Sequence, residues 1–332
     1  MSEKQGTVSW GVISTAEIFH DELLAAFAES EVADLRAVAS RDSGRAAAFA
    51  AEHGIPVSHG GYAELLADDS IECVYIPLPN SLHGEWTQAA IEAGKHVLCE
   101  KPLTPTAQEA EELFALAEAR GVVLMEAFMY RHHPKTQRLR EIFEGGEVGA
   151  PRVLRMKFHF MTAEPKSDIR YDPALAGGAL RDVGCYCVSL ANHLAGAAPD
   201  TMAASARLSE SGVDEQFAAT LEYGNEFLAV FDCGMLSPLD VGVELLGTEG
   251  RATVAMPWYA HLEPLSIELE RDGETTTLPT PGPNAYRLEL ENVCAAARGE
   301  VQPEISAEET VRNLATIERL LELANSDLAQ TT

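Results

Sequence analysis

Lysine is scarce in this chain of 332 residues. There are six against eighteen arginines, and the 24 basic residues face 52 acidic ones, a formal charge of −28. A surface of that sign repels phosphate backbones, which argues against a nucleic-acid partner and says nothing about fold. Long apolar runs are also missing. No segment reaches the roughly 18 apolar residues that cross a bilayer, and the polar start, Met1 to Val8, holds no apolar core of a secretion signal. Neither a membrane span nor that route of secretion is expected, and the cytoplasm is the expected compartment. Cys73, Cys99, Cys185, Cys187, Cys233 and Cys294 contain no Cys-x-x-Cys pair and make no dense framework, so reduced thiols are expected rather than a disulfide scaffold. The acidity itself leaves two readings open, the solvated surface of a salt-adapted protein or an ordinary acidic cytosolic one.

What is present is enough apolar material for two cores: 46% of the residues are hydrophobic, and the length suggests about two domains. Thr7 to Ile13 reads as a strand, Ser14 and Thr15 as a turn, and Glu17 to Glu29 as a helix. Leu35 to Ala39 is a second strand, and an Ala-rich helix follows Ser40-Arg41-Asp42 and stops at Gly54. The alternation continues through strand Cys73 to Ile76, helix Ser81 to Ala93, strand His96 to Cys99, helix Thr106 to Arg120 and strand Val122 to Met125. Strands alternating with helices predict an α/β doubly wound parallel sheet of the Rossmann type over residues 1–127.

Beyond Pro151 the β segments follow one another directly, at Val153 to Phe160, Thr201 to Leu208, Phe217 to Tyr223, Phe227 to Cys233, Val241 to Leu246, Ala252 to Ala255 and Ile267 to Arg271. Turn residues such as Tyr223-Gly224-Asn225 separate them. The spacing predicts an α+β domain over residues 128–332, built on a mainly antiparallel, open-faced sheet. Its helices are expected at Ala179 to Leu194, Tyr286 to Arg298 and Ala307 to Ala324, the last of them packing back on the first domain.

Ligands of doubly wound sheets sit at the carboxyl ends of the strands, so the residues just after each strand carry the information. The first turn lacks the full Gly-x-Gly-x-x-Gly: Ser14, Ala16 and Phe19 stand where the glycines would be. Ser14, Thr15 and Ala16 are nevertheless small enough to let backbone N–H groups approach a pyrophosphate at a helix N-terminus. After the second strand, where an acid would read the ribose of NAD, stand Ser40 and Arg41. A guanidinium there suits a 2′-phosphate, which favours NADP, although Arg41 is equally read as a solvated charge at a helix start.

Three further patterns converge. Pro77-Leu78-Pro79-Asn80-Ser81-Leu82-His83 follows one strand, Glu100-Lys101-Pro102 follows the next, and Gly177-Gly178-Ala179-Leu180-Arg181-Asp182-Val183-Gly184-Cys185-Tyr186 opens the helix of the second half. In that order and on those elements they resemble the glucose-fructose oxidoreductase/inositol dehydrogenase (Gfo/Idh/MocA) family of NAD(P)-dependent sugar and polyol oxidoreductases, over nearly the whole chain from Val8 to Ala324. Within it the sequence looks closest to the branch of D-xylose dehydrogenases and dihydrodiol dehydrogenases, with NADPH-dependent sugar ketoreductases as the alternative.

The chemistry of these residues can be argued on its own. Moving a hydride to or from a carbonyl carbon must be matched by a proton at its oxygen, which calls for an acid/base group beside a positive charge. Tyr186 and Lys101 are of the right types, and Asp182 lies four residues before Tyr186, on one face of a regular helix. Read structurally, Lys101 is instead a strand-end charge, Asp182 a first-turn carboxylate and Tyr186 a core aromatic. The resemblance implies that Lys101 lies at nicotinamide and substrate, that Asp182 positions the substrate hydroxyl or the lysine, and that Tyr186 is the acid/base. It further implies cofactor contacts from Pro79, Asn80, His83, Glu100 and Arg170, and a substrate lining that includes Phe128, Tyr130 and Arg131 in Glu126-Ala127-Phe128-Met129-Tyr130-Arg131-His132-His133-Pro134. A homodimer or tetramer through the open sheet face is implied as well. Adjacent histidines on an extended segment point to opposite faces, and no carboxylate or cysteine pattern completes a zinc set, so no metal is expected. The family also holds silent, dinucleotide-binding regulators, a reading weakened here by the presence of all three residues.

Overall fold

The computed structural model describes residues 6–331 apart from Glu164, Lys166 and Asn225, and of residues 327–331 it describes the backbone alone. Most of the polar start and the turn residue Asn225 thus lie outside the described residues. The chain folds as two units: Met1–Thr104 with Gln108–Met129 and Tyr286–Ala307, and Pro105–Ala107 with Tyr130–Ala285 and Glu308–Thr332.

The first unit is built on six strands, β1 (Val8–Ile13), β2 (Ala33–Ala39), β3 (Val57–His59), β4 (Cys73–Ile76), β5 (His96–Glu100) and β6 (Leu124–Ala127). They form one parallel sheet in the order β3-β2-β1-β4-β5-β6, the doubly wound order that reverses between β1 and β4. Val12, Ile13, Val38, Val74, Ile76, Val97 and Leu98 are buried, as befits strands covered on both faces. The crossover helices are α1 (Leu24–Glu29), α2 (Ser43–His53), α3 (Tyr62–Leu66), α4 (Asn80–Glu92) and α5 (Ala107–Arg120). A π-turn, Phe19–Leu23, leads into α1. Asp42 caps α2 by accepting from the Arg45 N–H at 2.9 Å, and Gly54 at φ +68° ends it, so local chemistry marks both ends.

The second unit carries helices α6 (Pro134–Gly145) and α7 (Cys185–Ala195) and strands β7 (Pro151–Met161), β8 (Thr201–Leu208), β9 (Asp214–Tyr223), β10 (Phe227–Gly234), β11 (Leu236–Gly247), β12 (Gly250–Ala255), β13 (Ser266–Arg271) and β14 (Glu274–Pro279). Helix α8 (Ala285–Ala297) follows, almost wholly in the first unit, where Trp10 Nε1 of β1 donates to Cys294 Sγ at 3.3 Å. Helix α9 (Ala307–Thr331) closes the chain. The eight strands run β14-β13-β12-β11-β7-β10-β9-β8, every pair antiparallel except β10 with β7. The predicted mainly antiparallel sheet is therefore present, with one parallel pair and one further strand. That strand, β14, is reached through Asp272 and Gly273, both at positive φ, the two-residue turn that matches the twist of a hairpin. Leu154, Met156 and Phe158 of β7 face the buried side. Between them Arg155 and Lys157 project outward and pair with Glu244 at 2.8 Å and Asp240 at 2.5 Å. Among the described residues no helix is long and apolar enough to cross a membrane.

Candidate active site

In the first unit the expected dinucleotide turn follows β1. Ser14 takes φ +147°, a backbone conformation that side chains rarely adopt and glycine adopts freely, at the position of the first missing glycine. The helix that begins after it hangs on the Ala16 carbonyl, which accepts from the N–H groups of Phe19 and His20 at 3.1 and 3.2 Å; Thr15 lies between, half-buried. After β2, Ser40 is buried and its Oγ accepts from the Asp42 N–H at 3.3 Å. The Asp42 carboxylate is turned onto the end of α2, while Arg41 is exposed and makes no ion pair among the described residues.

The turns after β4 and β5 are tied together by one side chain. His83 is fully buried in α4, with Nδ1 at 2.8 Å from the Pro102 carbonyl and Nε2 at 2.7 Å from that of Leu78. Burial, with the Lys101 charge nearby, holds its pKa below the ordinary value despite those two acceptors. Pro79 and Asn80 form the start of α4 between these turns. Glu100 accepts from the Tyr75 hydroxyl at 2.6 Å, and the Leu103 N–H beyond Lys101 donates to Glu126 at 2.9 Å. Lys101 is half-buried on the turn so framed. Near Glu100 lies Glu289 of α8, buried and pushed well above the carboxylate range by desolvation and by Glu100. Phe128 and Met129 are buried at the end of β6.

In the second unit, Asp182 and Tyr186 stand on one continuous helix, whose first part is a π-turn, Leu180–Gly184, running directly into α7. The four-residue spacing is thus spanned in part by a widened turn. Gly184 permits it, since a Cβ there would meet Cys233 Sγ at 2.8 Å. Asp182 Oδ2 accepts from Arg170 Nε at 2.7 Å. Asp182 and Asp168 raise the Arg170 pKa further, so the guanidinium stays charged and the two carboxylates balance that charge. Tyr186 is packed by the rings of Phe158, Tyr130 and Trp258, with centroids 5.4, 5.8 and 5.8 Å away. Tyr130 is itself buried, its hydroxyl 2.9 Å from Ser189 Oγ, so it backs Tyr186. Arg131 is turned inward, 2% exposed, onto the Glu309 carboxylate. Phe158, Trp258, Asp214 and Glu289 were not singled out from the sequence. Trp258 had the one usable signal, a rare aromatic just past a strand end.

A doubly wound sheet with a dinucleotide-type first turn, joined to an open mixed sheet that carries an Asp and a Tyr on its early helix, defines an oxidoreductase of the two-domain nicotinamide class. Residues 8–128 match the model of the oxidoreductase family with NAD-binding Rossmann fold, and residues 136–253 that of the GFO/IDH/MocA C-terminal domain. The chain belongs to the GFO/IDH/MocA oxidoreductase family. It is 38% identical to a D-xylose 1-dehydrogenase (NADP(+)) of Haloferax volcanii over 96% of this chain and 98% of that one. It is 35% identical to the mouse trans-1,2-dihydrobenzene-1,2-diol dehydrogenase, over 82% and 80%. A 3-ketoreductase from Actinomadura kijaniata, solved with NADP and TDP-benzene, superposes with a TM-score of 0.89 at 30% identity, covering 95% of this chain and 97% of that one.

Proposed function

We propose that the protein is an NADP-dependent oxidoreductase that interconverts a hydroxyl and a carbonyl on a monosaccharide or cyclic diol, in the manner of a D-xylose 1-dehydrogenase. The observation that carries this is full-length similarity to an enzyme of that name, in a chain that has Lys101 after β5 and Asp182 and Tyr186 on one continuous helix. A dinucleotide fits the first unit: the glycine-like backbone of Ser14 opens the helix behind it, and Arg41 is uncommitted at the start of α2. Ser14, Thr15, Ala16, Ser40, Arg41, Pro79, Asn80 and Glu100 would hold it, with His83 holding the two turns together; Arg170 is the further cofactor contact that the resemblance implies. When bound, NADP supplies the hydride acceptor.

The chain's own residues manage the proton and the charge. As the phenolate, which the charge of Lys101 would favour, Tyr186 accepts the proton of the substrate hydroxyl as its carbon gives up hydride, and as the phenol it returns one in the reverse direction. Lys101 supplies positive charge for the oxygen as it passes through alkoxide character. Asp182, oriented by Arg170, accepts a hydrogen bond from a substrate hydroxyl. Phe128, Tyr130 and Arg131 shape the substrate side, the last two from behind. The structural likeness to a ketoreductase favours a second reading, in which the same groups work reductively on a sugar ketone.

A panel of pentoses, hexoses and diols with NADP and NAD, followed by nicotinamide absorbance, tests this. Turnover of a sugar with NADP is expected, and Lys101→Ala should abolish it with the fold intact. Tight NADP binding without turnover in either direction would instead mark a regulator. We further infer a cytoplasmic location, from six buried thiols, and a homodimer or tetramer through the outer sheet face, where Met161 and Leu239 are each 55% exposed beside the charge pairs of β7. Light scattering that shows a monomer at micromolar concentration would overturn the assembly.

A further inference from the structure

We propose that Asp214 is a positioning residue for the reaction: its carboxylate, seated under the first turn of the helix that bears Asp182 and Tyr186, fixes the backbone that presents Asp182. This rests on the functional reading above. Asp214 begins β9 and is 5% exposed. Its Oδ2 accepts from the Leu180 N–H at 2.6 Å, and the Ala179 N–H also bonds to the carboxylate. Its Oδ1 occupies the space a side chain would need at position 178. A Cβ on Gly178 would sit 2.1 Å from it, and Gly178 has φ +118°. The same two glycines carry the other support of Asp182. The Gly178 N–H donates to the Arg170 carbonyl at 2.9 Å, and a Cβ on Gly177 would lie 2.3 Å from that oxygen. Arg170 in turn holds Asp182 Oδ2, while the Asp182 N–H donates to the Gly178 carbonyl at 3.0 Å. Asp182 is thus fixed through its side chain by Arg170 and through its backbone by Asp214, with Gly177-Gly178 as the junction.

A carboxylate at a helix N-terminus is ordinarily a stabilising cap when it is wet. Here burial dominates and pushes Asp214 up to about 6, against the N–H groups of Leu180 and Ala179 and the charge of Arg181, which all favour its ionised form. Arg181 also faces Glu318 of α9, and the Cys233 thiol of β10 lies against Asp214. The folded-state value lies above the ordinary 3.8, so the ionised form weakens the fold as pH rises through that interval. A group kept at a cost to stability, in a place where a neutral cap would do, is what a positioning role predicts and a purely structural one does not.

The test compares the full-length protein with D214N, an isosteric change that removes the charge and keeps one acceptor. The expected result is a kcat roughly 10- to 100-fold lower, with KM for NADP unchanged and a Tm at pH 8 equal to or above that of the unaltered protein. The acid limb of kcat near pH 6 should be lost. Amide hydrogen exchange at residues 180–184 should be faster in D214N. An unchanged kcat and pH profile, or a Tm that falls together with kcat, overturns the proposal. If the unaltered protein turns over no sugar or diol, the functional reading fails, and the exchange measurement alone decides whether Asp214 holds the turn. Equal exchange in the two proteins overturns that hold.

Discussion

Removing Glu309 takes away the buried carboxylate that Arg131 Nη1 donates to in the interior of the second unit. The side chains of Arg131 and Glu309 are 2% and 10% exposed, and the nearby histidines carry no charge to compensate. His193 lies with Nδ1 3.9 Å from Glu309 Oε1 and is held to about 2 by burial and by the charges of Arg131, Arg140 and Arg312. His132 is held to about 3 by burial and by Arg131. Breaking a buried pair from one side costs about 3–5 kcal/mol, whereas replacing both partners with apolar groups is about neutral. Glu309→Leu should therefore lower the unfolding midpoint by roughly 6–20 °C, taking about 2–4 °C per kcal/mol for a unit of this size. Arg131→Met should cost less, because the remaining carboxylate can take up a proton once its counter-charge is gone, whereas a guanidinium cannot give one up. The double variant Arg131→Met/Glu309→Leu should melt within a few degrees of the original. Thermal unfolding of the four proteins at fixed salt, read as a double-mutant cycle, gives the coupling directly. Additive losses in the double variant, or a Glu309→Leu penalty below about 1 kcal/mol, would refute a buried, mutually dependent pair. The same proteins decide what Arg131 does: an inward guanidinium predicts an unchanged sugar KM in the double variant.

Other consequences are as direct. Arg41→Ala should raise KM for NADP by roughly 10- to 100-fold, the loss of charge-assisted bonds worth about 1.5–3 kcal/mol, and leave that for NAD unchanged; equal effects on both would remove Arg41 from the 2′-phosphate. His193 is neutral in the folded protein far below the pH at which the unfolded chain protonates it. Its contribution is present above pH 6.5 and is lost as pH falls toward 2. His193→Asn should flatten the fall of stability with acid by about 1.4 kcal/mol per pH unit, measured from denaturation midpoints between pH 6 and 4; an unchanged slope would contradict it. Raising potassium chloride into the molar range should increase both activity and melting temperature, and a monotonic loss of both from low salt would remove the salt-adapted reading while leaving the enzymatic one in place.

Elements whose ends carry local chemistry were legible from the sequence. Helix α2 lies between Asp42 and Gly54, and the helix through Ala179 begins at a glycine pair, because a cap or a positive φ is a property of one or two residues. The π-turns were not legible: Leu180–Gly184 depends on Gly184 letting Cys233 approach, and that thiol is 49 positions away in the chain. Strand β14 carried its signal in Asp272-Gly273, yet Thr275, Thr276 and Thr277 are polar on both faces, so no alternation marked it. Helix α6 opens on Pro134, with His133 Nδ1 accepting from the Lys135 N–H, a start hidden inside a segment whose residues the resemblance assigns to the substrate pocket. The candidate site divides in the same way. Lys101, Asp182 and Tyr186 are recognisable because the chemistry demands those side-chain types in that order. Asp214, Trp258 and Glu309 act by what they touch, and a single sequence does not show which distant residue a buried polar or aromatic group will meet.

The charge of −28 has a different meaning once its basic residues are placed. Arg155 and Arg251 are spent on Glu244 and Glu270 across the outer sheet, Arg138 and Arg140 on Glu147 and Glu144, and Arg170 on two aspartates. These pairs cancel charge locally and leave the acidic excess to set the field at a distance. On the proposed reading, an anionic cofactor approaches against the long-range potential and would be captured at short range, by Arg41 and by the N–H groups at the helix start after β1. The two ranges respond differently to ions. At 0.1 M salt the screening length is about 10 Å, enough to remove most of the repulsion over the approach and little of a contact between a guanidinium and a phosphate. Proteins that draw anions in with a positive field lose affinity as salt rises. On the proposed reading the sign should be reversed here, because the term that salt removes is the unfavourable one.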